Sequence, residues 1–205
     1  MFKFPFSKKS ESLVVEALHD NKVFVFPTET FYGLGGNAFS GKVADRIYEI
    51  KGRSRKKSFL LLINMEWLEQ ICCWSDSRIN DLIDNFWPGP LTLILEANKK
   101  IPKHLKNNNG TVAIRYTSSP VAQRLIELGK CPIIGTSANI SGMPACSSVG
   151  EVKLQLNNRV DFFIDGGYLS QNKPSTIVNC INSSFKVLRQ GAITSSNLNR
   201  VCKVF

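Results

Sequence analysis

Residues 111–135, Thr111-Val-Ala-Ile-Arg-Tyr-Thr-Ser-Ser-Pro-Val-Ala-Gln-Arg-Leu-Ile-Glu-Leu-Gly-Lys-Cys-Pro-Ile-Ile-Gly135, carry the fold class. Thr111–Tyr116 is a short run of strand formers. Ser119 suits an N-cap, and Pro120 suits the first helical position, where a missing N–H costs nothing. Gly129 closes that helix, and Pro132–Gly135 reads as a strand again. Strand, helix, strand is the unit of an α/β architecture.

The same alternation extends outward. Towards the N-terminus, Ser10 reads as the cap of a helix to about Asp20, with Leu13, Val14, Ala17 and Leu18 on one face. Lys22–Phe26 is a strand stopped by Pro27. Gly41–Lys51 is a helix, Phe59–Ile63 a buried strand and Ser77–Phe86 a helix. Leu91–Ala97 is a strand, separated from the next by the polar loop Lys103–Gly110. Towards the C-terminus, Ser148 with Glu151 forms a capping box for a helix to about Leu156. Val160–Ile164, Ser175–Cys180 and Phe185–Leu188 read as strands. These neighbouring strands predict a mixed sheet, not an all-parallel one.

The 205 residues fit one domain, 1–205, long enough to bury a core without disulfides or a structural metal. The six cysteines (Cys72, Cys73, Cys131, Cys146, Cys180 and Cys202) show no C-x-x-C spacing and read as buried thiols in a reducing compartment. His19 and His104 have no ligand-type neighbours, which argues against a histidine triad and a protein-built metal site. No apolar run approaches the roughly 20 residues of a membrane span. The short basic N-terminus lacks a signal-peptide core, so a cytoplasmic location is expected, without membrane partners. The net charge of +10 points to nucleotides, nucleic acid or both. Lys51, Arg53, Arg55, Lys56 and Lys57 form an acid-free block.

Two near-motifs carry little. Gly36-Asn-Ala-Phe-Ser-Gly41-Lys42-Val43 lacks the hydroxyl that a phosphate loop needs after its lysine. Gly33-Leu-Gly35-Gly36-Asn-Ala38 lies away from the strand a dinucleotide site would follow.

Other polar segments fall at strand ends, where α/β sheets bind ligands. Pro27-Thr-Glu-Thr-Phe-Tyr-Gly-Leu-Gly35 pairs hydroxyls with glycines that allow close backbone approach. Lys51-Gly-Arg53-Ser-Arg-Lys-Lys57 suits a loop wrapping a triphosphate, or a solvated basic loop. Phe86-Trp-Pro-Gly-Pro-Leu-Thr92 is a rigid structural turn. Thr111, Ala113 and Arg115 share one strand face, and Arg115 there needs an anion or a structural partner. Gly135-Thr-Ser-Ala-Asn-Ile-Ser-Gly142 is rich in small donors, in the manner of an anion nest. Asp165-Gly-Gly167, Pro174-Ser-Thr176 and Leu188-Arg-Gln-Gly-Ala-Ile193 add a tight turn, two hydroxyls and a second strand-end arginine.

Taken in order over residues 10–195, these segments resemble the YrdC/Sua5 family, the threonylcarbamoyl-AMP synthases, in the short form without an additional C-terminal domain. The resemblance implies a YrdC-like twisted mixed β-sheet with flanking helices and a basic concave face. It implies that Thr30, Arg115, Thr136 and Ser175 hold L-threonine. It further implies that Lys51, Arg53, Lys57, Thr111, Ser137, Asn139 and Arg189 hold ATP, with Lys51, Arg53, Ser137 and Asn139 in catalytic roles. The implied reaction joins L-threonine, bicarbonate and ATP into L-threonylcarbamoyl-AMP and pyrophosphate. A downstream transferase complex would then use the product to form N6-threonylcarbamoyladenosine in tRNA. Magnesium would arrive with ATP, since no acidic cluster is visible. Ser54, Ser58 and Gln190 stand where the family commonly has prolines, and the Gly167–Pro174 segment lacks its usual glycine-rich run. Two rival readings remain: a non-enzymatic double-stranded RNA-binding module on the basic face, and a related enzyme acting on another carbamate.

Overall fold

The computed structural model describes residues 1–170 and 173–205, with residue 158 described by its backbone alone; residues 171–172 of the Gly167–Pro174 segment lie outside the described residues. In chain order the elements are β1 (Phe2–Lys3), α1 (Lys8–His19), β2 (Phe24–Phe26), β3 (Gly33–Gly35), α2 (Gly41–Lys51), β4 (Leu60–Ile63), α3 (Met65–Ile71), β5 (Cys72–Cys73) and α4 (Arg78–Phe86). There follow β6 (Leu91–Ala97), β7 (Thr111–Tyr116), α5 (Pro120–Gly129), β8 (Ile133–Ile134), β9 (Thr136–Ser137), α6 (Val149–Leu156), β10 (Phe162–Asp165), β11 (Thr176–Asn179), β12 (Lys186–Arg189) and α7 (Ser195–Asn199).

Side-chain caps set several helix starts. Ser40, Ser119 and Ser148 each accept the backbone N–H three residues on. The first cap is Ser7, not Ser10: the Ser10 N–H donates to Ser7 Oγ, so α1 begins at Lys8, ahead of the expected start. The box at Ser148 is shifted too, because Glu151 Oε2 accepts from the N–H of Ser147, at 2.7 Å. Gly52 stops α2 with a left-handed φ of 57°.

The strands divide into two mixed sheets. One runs β1-β10-β2-β3-β9, and the other runs β12-β11-β6-β7-β4-β8 with β5 added against β6. In the larger sheet β4–β7 and β6–β11 pair in parallel, whereas β6–β7 and β11–β12 are antiparallel. The strand expected over Pro132–Gly135 is shortened to Ile133–Ile134, and a second short strand lies within the turn that follows. Ile133–Ile134 pairs with β4, Thr136–Ser137 pairs with β3, and the chain changes sheets at Gly135. The Gly135 N–H donates to Leu60 O at 2.8 Å, and a Cβ there would lie 2.6 Å from Leu62 Cγ. Only glycine fits this crossing without displacing Leu62.

Strand periodicity gives the larger sheet two unlike faces. Leu61, Ile63, Leu93, Leu95, Val112, Ile114 and Val178 point into the main core with Ile47, Leu68 and Leu82 of the helices. Leu60, Thr92, Ile94, Ala113, Arg115 and Ile177 point the other way, into a cleft. A second cluster joins Val14 and Leu18 of α1 and Leu125 and Ile126 of α5 to Phe24 and Phe26. The glycine decoys have structural work: β3 is buried, and a Cβ on Gly35 would meet Ile134 O at 1.8 Å. Ser40, inside the mock phosphate loop, caps α2. Among the described residues no helix is long and apolar enough to cross a membrane.

Candidate active site

A cleft of about 960 Å³ lies between the two sheets. Five cations line it, Arg53, Lys56, Lys57, Arg115 and Arg189, and no acidic side chain joins them among the described lining residues. The field inside therefore attracts anions. Its floor is the polar end of the larger sheet. Ser175 Oγ lies 2.9 Å from Thr92 Oγ1 and accepts from Arg189 Nη2 at 3.0 Å. Arg189 also donates twice to Ser175 O, at 3.1 and 2.9 Å. Those bonds hold the guanidinium at the sheet edge. Burial lowers its pKa, and the nearby Arg115 charge lowers it further.

Arg115 projects from β7 and is 4% exposed. Its Nη2 lies 3.6 Å from Glu29 Oε2, which accepts from Thr117 Oγ1 at 2.5 Å. Burial lowers the guanidinium pKa, and Glu29 opposes that effect. Arg115 Nε and Glu29 Oε1 are both buried without a hydrogen-bond partner.

The facing wall is the loop between β2 and β3. Thr28 Oγ1 accepts from the N–H of Thr30 at 3.1 Å and donates to Phe31 O at 2.7 Å, which shapes the loop locally. Thr28 Oγ1 and Thr30 Oγ1 are 3.0 Å apart. Tyr32 Oη donates to Gly167 O at 2.7 Å and accepts from the Gly166 N–H at 3.0 Å, so the Asp165-Gly-Gly167 turn braces this wall. The basic loop after α2 folds on itself: Arg53 donates to Ser58 O at 2.8 Å and to Lys57 O at 3.3 Å.

Lys51 ends α2 and is 2% exposed. Its ammonium donates to Ser137 O, to Asn139 O at 2.6 Å and to Asn139 Oδ1 at 3.3 Å. Burial first, and Arg53 second, pull its pKa down to about 8. Asn139 is likewise committed: Oδ1 accepts from Ser137 Oγ at 2.5 Å, and Nδ2 donates to Ile140 O and Met143 O at 2.9 and 2.6 Å. The turn after Gly135 is thus a pre-formed unit with Lys51 at its centre.

A family model described as telomere recombination, covering Sua5, YciO and YrdC, matches residues 16–191. The chain belongs to the Sua5/YciO/YrdC family. One relative, named threonylcarbamoyl-AMP synthase, from Pyrococcus abyssi (strain GE5 / Orsay), is 34% identical over 185 residues, 90% of this chain and 54% of the relative. Another of that name, from Vibrio campbellii, is 30% identical over 89% of this chain and 100% of its own length. The chain spans about half the length of the first relatives it matches. Among solved family structures, P. abyssi Sua5 complexed with L-threonine superposes with a TM-score of 0.92 at 31% identity, covering 98% of this chain and 59% of that one. E. coli YciO gives 0.86 at 27%, covering 96% and 98%.

The family resemblance placed eleven positions in one site, and eight line the cleft: Thr30, Arg53, Lys57, Arg115, Thr136, Ser137, Ser175 and Arg189. Lys51, Asn139 and Thr111 do not. Lys51 and Asn139 lie beneath the wall and shape it. Thr111 is buried at the start of β7, and its Oγ1 has no partner. Sequence reasoning missed Thr28, Thr92, Lys56 and Asn107, all on the cleft, together with Glu29 behind Arg115. Period-two alternation from Ser175 and Arg115 across neighbouring strands would have reached Thr92, but strand pairing was not readable. Among the described residues no group of three or more His, Cys, Asp or Glu is arranged to hold a metal ion.

Proposed function

We propose that the cleft makes L-threonylcarbamoyl-AMP from L-threonine, bicarbonate and ATP. One observation carries the reading: a single cleft joins a buried, outward-facing Arg115 and the hydroxyls of Thr30, Thr136 and Ser175 to the cations Arg53, Lys57 and Arg189. A small amino acid and a polyphosphate are the ligands such a set suits. The likeness to a Sua5 complexed with L-threonine supports the first ligand. The names of relatives at 30–34% identity support the reaction.

In this reading Arg115 takes the threonine carboxylate, and Thr30 and Thr136 orient the amino acid. The bound ammonium gives its proton to solvent, and the neutral amine and bicarbonate then give a carbamate and water. A carbamate oxygen then attacks the α-phosphorus in line, and pyrophosphate leaves. Arg53, Lys57 and Arg189 neutralise phosphate charge, while Ser137 and the turn held by Lys51 and Asn139 fix the α-phosphate. Positioning and electrostatics carry the rate. The donors here are cationic and hydroxylic, so magnesium would come coordinated by ATP. The product would pass to a tRNA-modifying transferase complex.

The test is pyrophosphate release from ATP by the purified protein. Release that needs both threonine and bicarbonate supports the proposal. ATP consumption independent of threonine points to another carbamate. Salt-sensitive RNA binding with no affinity for ATP or threonine points to the RNA-binding module.

A further inference from the structure

We propose that Glu29 determines specificity at the Arg115 end of the cleft, making that end dipolar so that it takes a zwitterionic α-amino acid in preference to a simple carboxylate. The inference rests on the threonine reading and deepens it.

A cleft lined by five cations attracts any small anion without distinction. A negative group nearby favours an amino acid over an α-hydroxy acid of the same shape, because the ammonium gains from its charge and a neutral hydroxyl does not. Glu29 is placed to supply it. It precedes Thr30, whose side chain is on the cleft wall, and its Oε2 lies 3.6 Å from Arg115 Nη2. Thr117 Oγ1 holds that oxygen in place at 2.5 Å.

The pair is not closed into a two-bond clamp. Glu29 Oε1 and Arg115 Nε are complementary, buried and unpartnered, so neither residue has spent its hydrogen-bonding capacity on the other. A purely structural ion pair buried this deeply would be expected to use those atoms. An amino acid carries its ammonium and carboxylate on one carbon. With the carboxylate on Arg115, the ammonium must lie within a few ångströms of the guanidinium, hence within the field of Glu29. Beside a guanidinium as buried as that of Arg115, that field acts without direct contact.

The experiment is calorimetric titration of the full chain with L-threonine and with the α-hydroxy acid of the same carbon skeleton. The native protein is expected to prefer threonine by at least about tenfold. Glu29→Gln keeps the shape and an acceptor for Thr117, and should lower that preference by at least about tenfold while ATP affinity stays within about twofold. Glu29→Asp keeps the charge and should retain most of the preference. Equal weakening of both acids in Glu29→Gln would mark a structural role and overturn the inference. Should that variant fail to fold, the native protein decides: equal affinity for the two acids overturns the inference and leaves the threonine reading intact. Native protein that binds neither acid overturns the threonine reading, and the inference with it.

Discussion

Replacing Lys51 with methionine tests whether the turn after Gly135 is a working part of the site. Methionine keeps an unbranched apolar stem in the same buried slot and removes only the ammonium. Ser137 O, Asn139 O and Asn139 Oδ1 then lose a shared charged donor. A hydrogen bond to a charged group contributes about 1.5–3 kcal/mol net. Failure to hold the turn by even one such bond costs about 2.7 kcal/mol of transition-state stabilisation, a hundredfold in kcat/KM. The assay is threonine- and bicarbonate-dependent pyrophosphate release, with circular dichroism and Tm as checks on folding. The native protein offers a second arm. With the Lys51 pKa near 8, its ammonium is present below that pH and lost above it. The native kcat/KM for ATP should therefore fall as pH rises through about 8, because kcat/KM reports groups of the free enzyme. Lys51→Arg should remove that limb. A folded Lys51→Met protein with near-native kcat/KM would refute the reasoning.

Other outcomes follow from single features. Arg115→Ala should raise the threonine KM by at least about a hundredfold and leave the ATP KM within about threefold, measured by varying each substrate separately; parallel loss of both would remove Arg115 from the threonine subsite. Gly35→Ala puts a Cβ 1.8 Å from Ile134 O and should cost more than about 3 kcal/mol in urea unfolding, whereas Gly150→Ala, with its nearest atom at 3.7 Å in α6, should be neutral or stabilising. Equal stability of the two variants would contradict the packing of β3. Burial pushes the Cys72, Cys131 and Cys180 thiols up to about 12 and Cys146 to about 11. Above pH 9 the unfolded chain sheds these protons and the folded chain keeps them, so stability should fall with rising pH, by up to about 1.4 kcal/mol per unit for each thiol. Lys51, with its lowered pKa, contributes in the opposite sense. Before unfolding, a thiol reagent should label Cys73 alone, the one exposed cysteine.

Long, strongly patterned elements were legible in the sequence. The α2 boundaries at Gly41 and Lys51 and the α5 start at Pro120 agree with the structure because a cap, a periodic apolar face and a stop coincide there. Strands β6 and β7 also agree, since their runs are long enough to show a pattern. What escaped is short or tertiary. A two-residue strand such as β1 or β5 has no period, and β3, Gly-Leu-Gly, has no strand propensity and exists because β2 and β9 flank it. Strand β9 was invisible for the same reason: Thr136–Ser137 reads as part of a donor-rich turn until its partner β3 is known. At the site, charged and hydroxylic positions at strand ends were readable, and the family resemblance ordered them. The duty of Lys51 was not, since a lysine in a basic block gives no hint that its head is buried in a turn. Glu29 was hidden by its neighbours, the only acid in a segment that reads as hydroxyls and glycines.

The crossing at Gly135 has a mechanical meaning. Arg115 and Ser175 belong to one sheet, while Thr30 and Thr136 are attached to the other. A molecule seated among all four is a rivet through two plates. Amide exchange in β10 and β12, one strand from each sheet, should therefore slow together when the cleft fills.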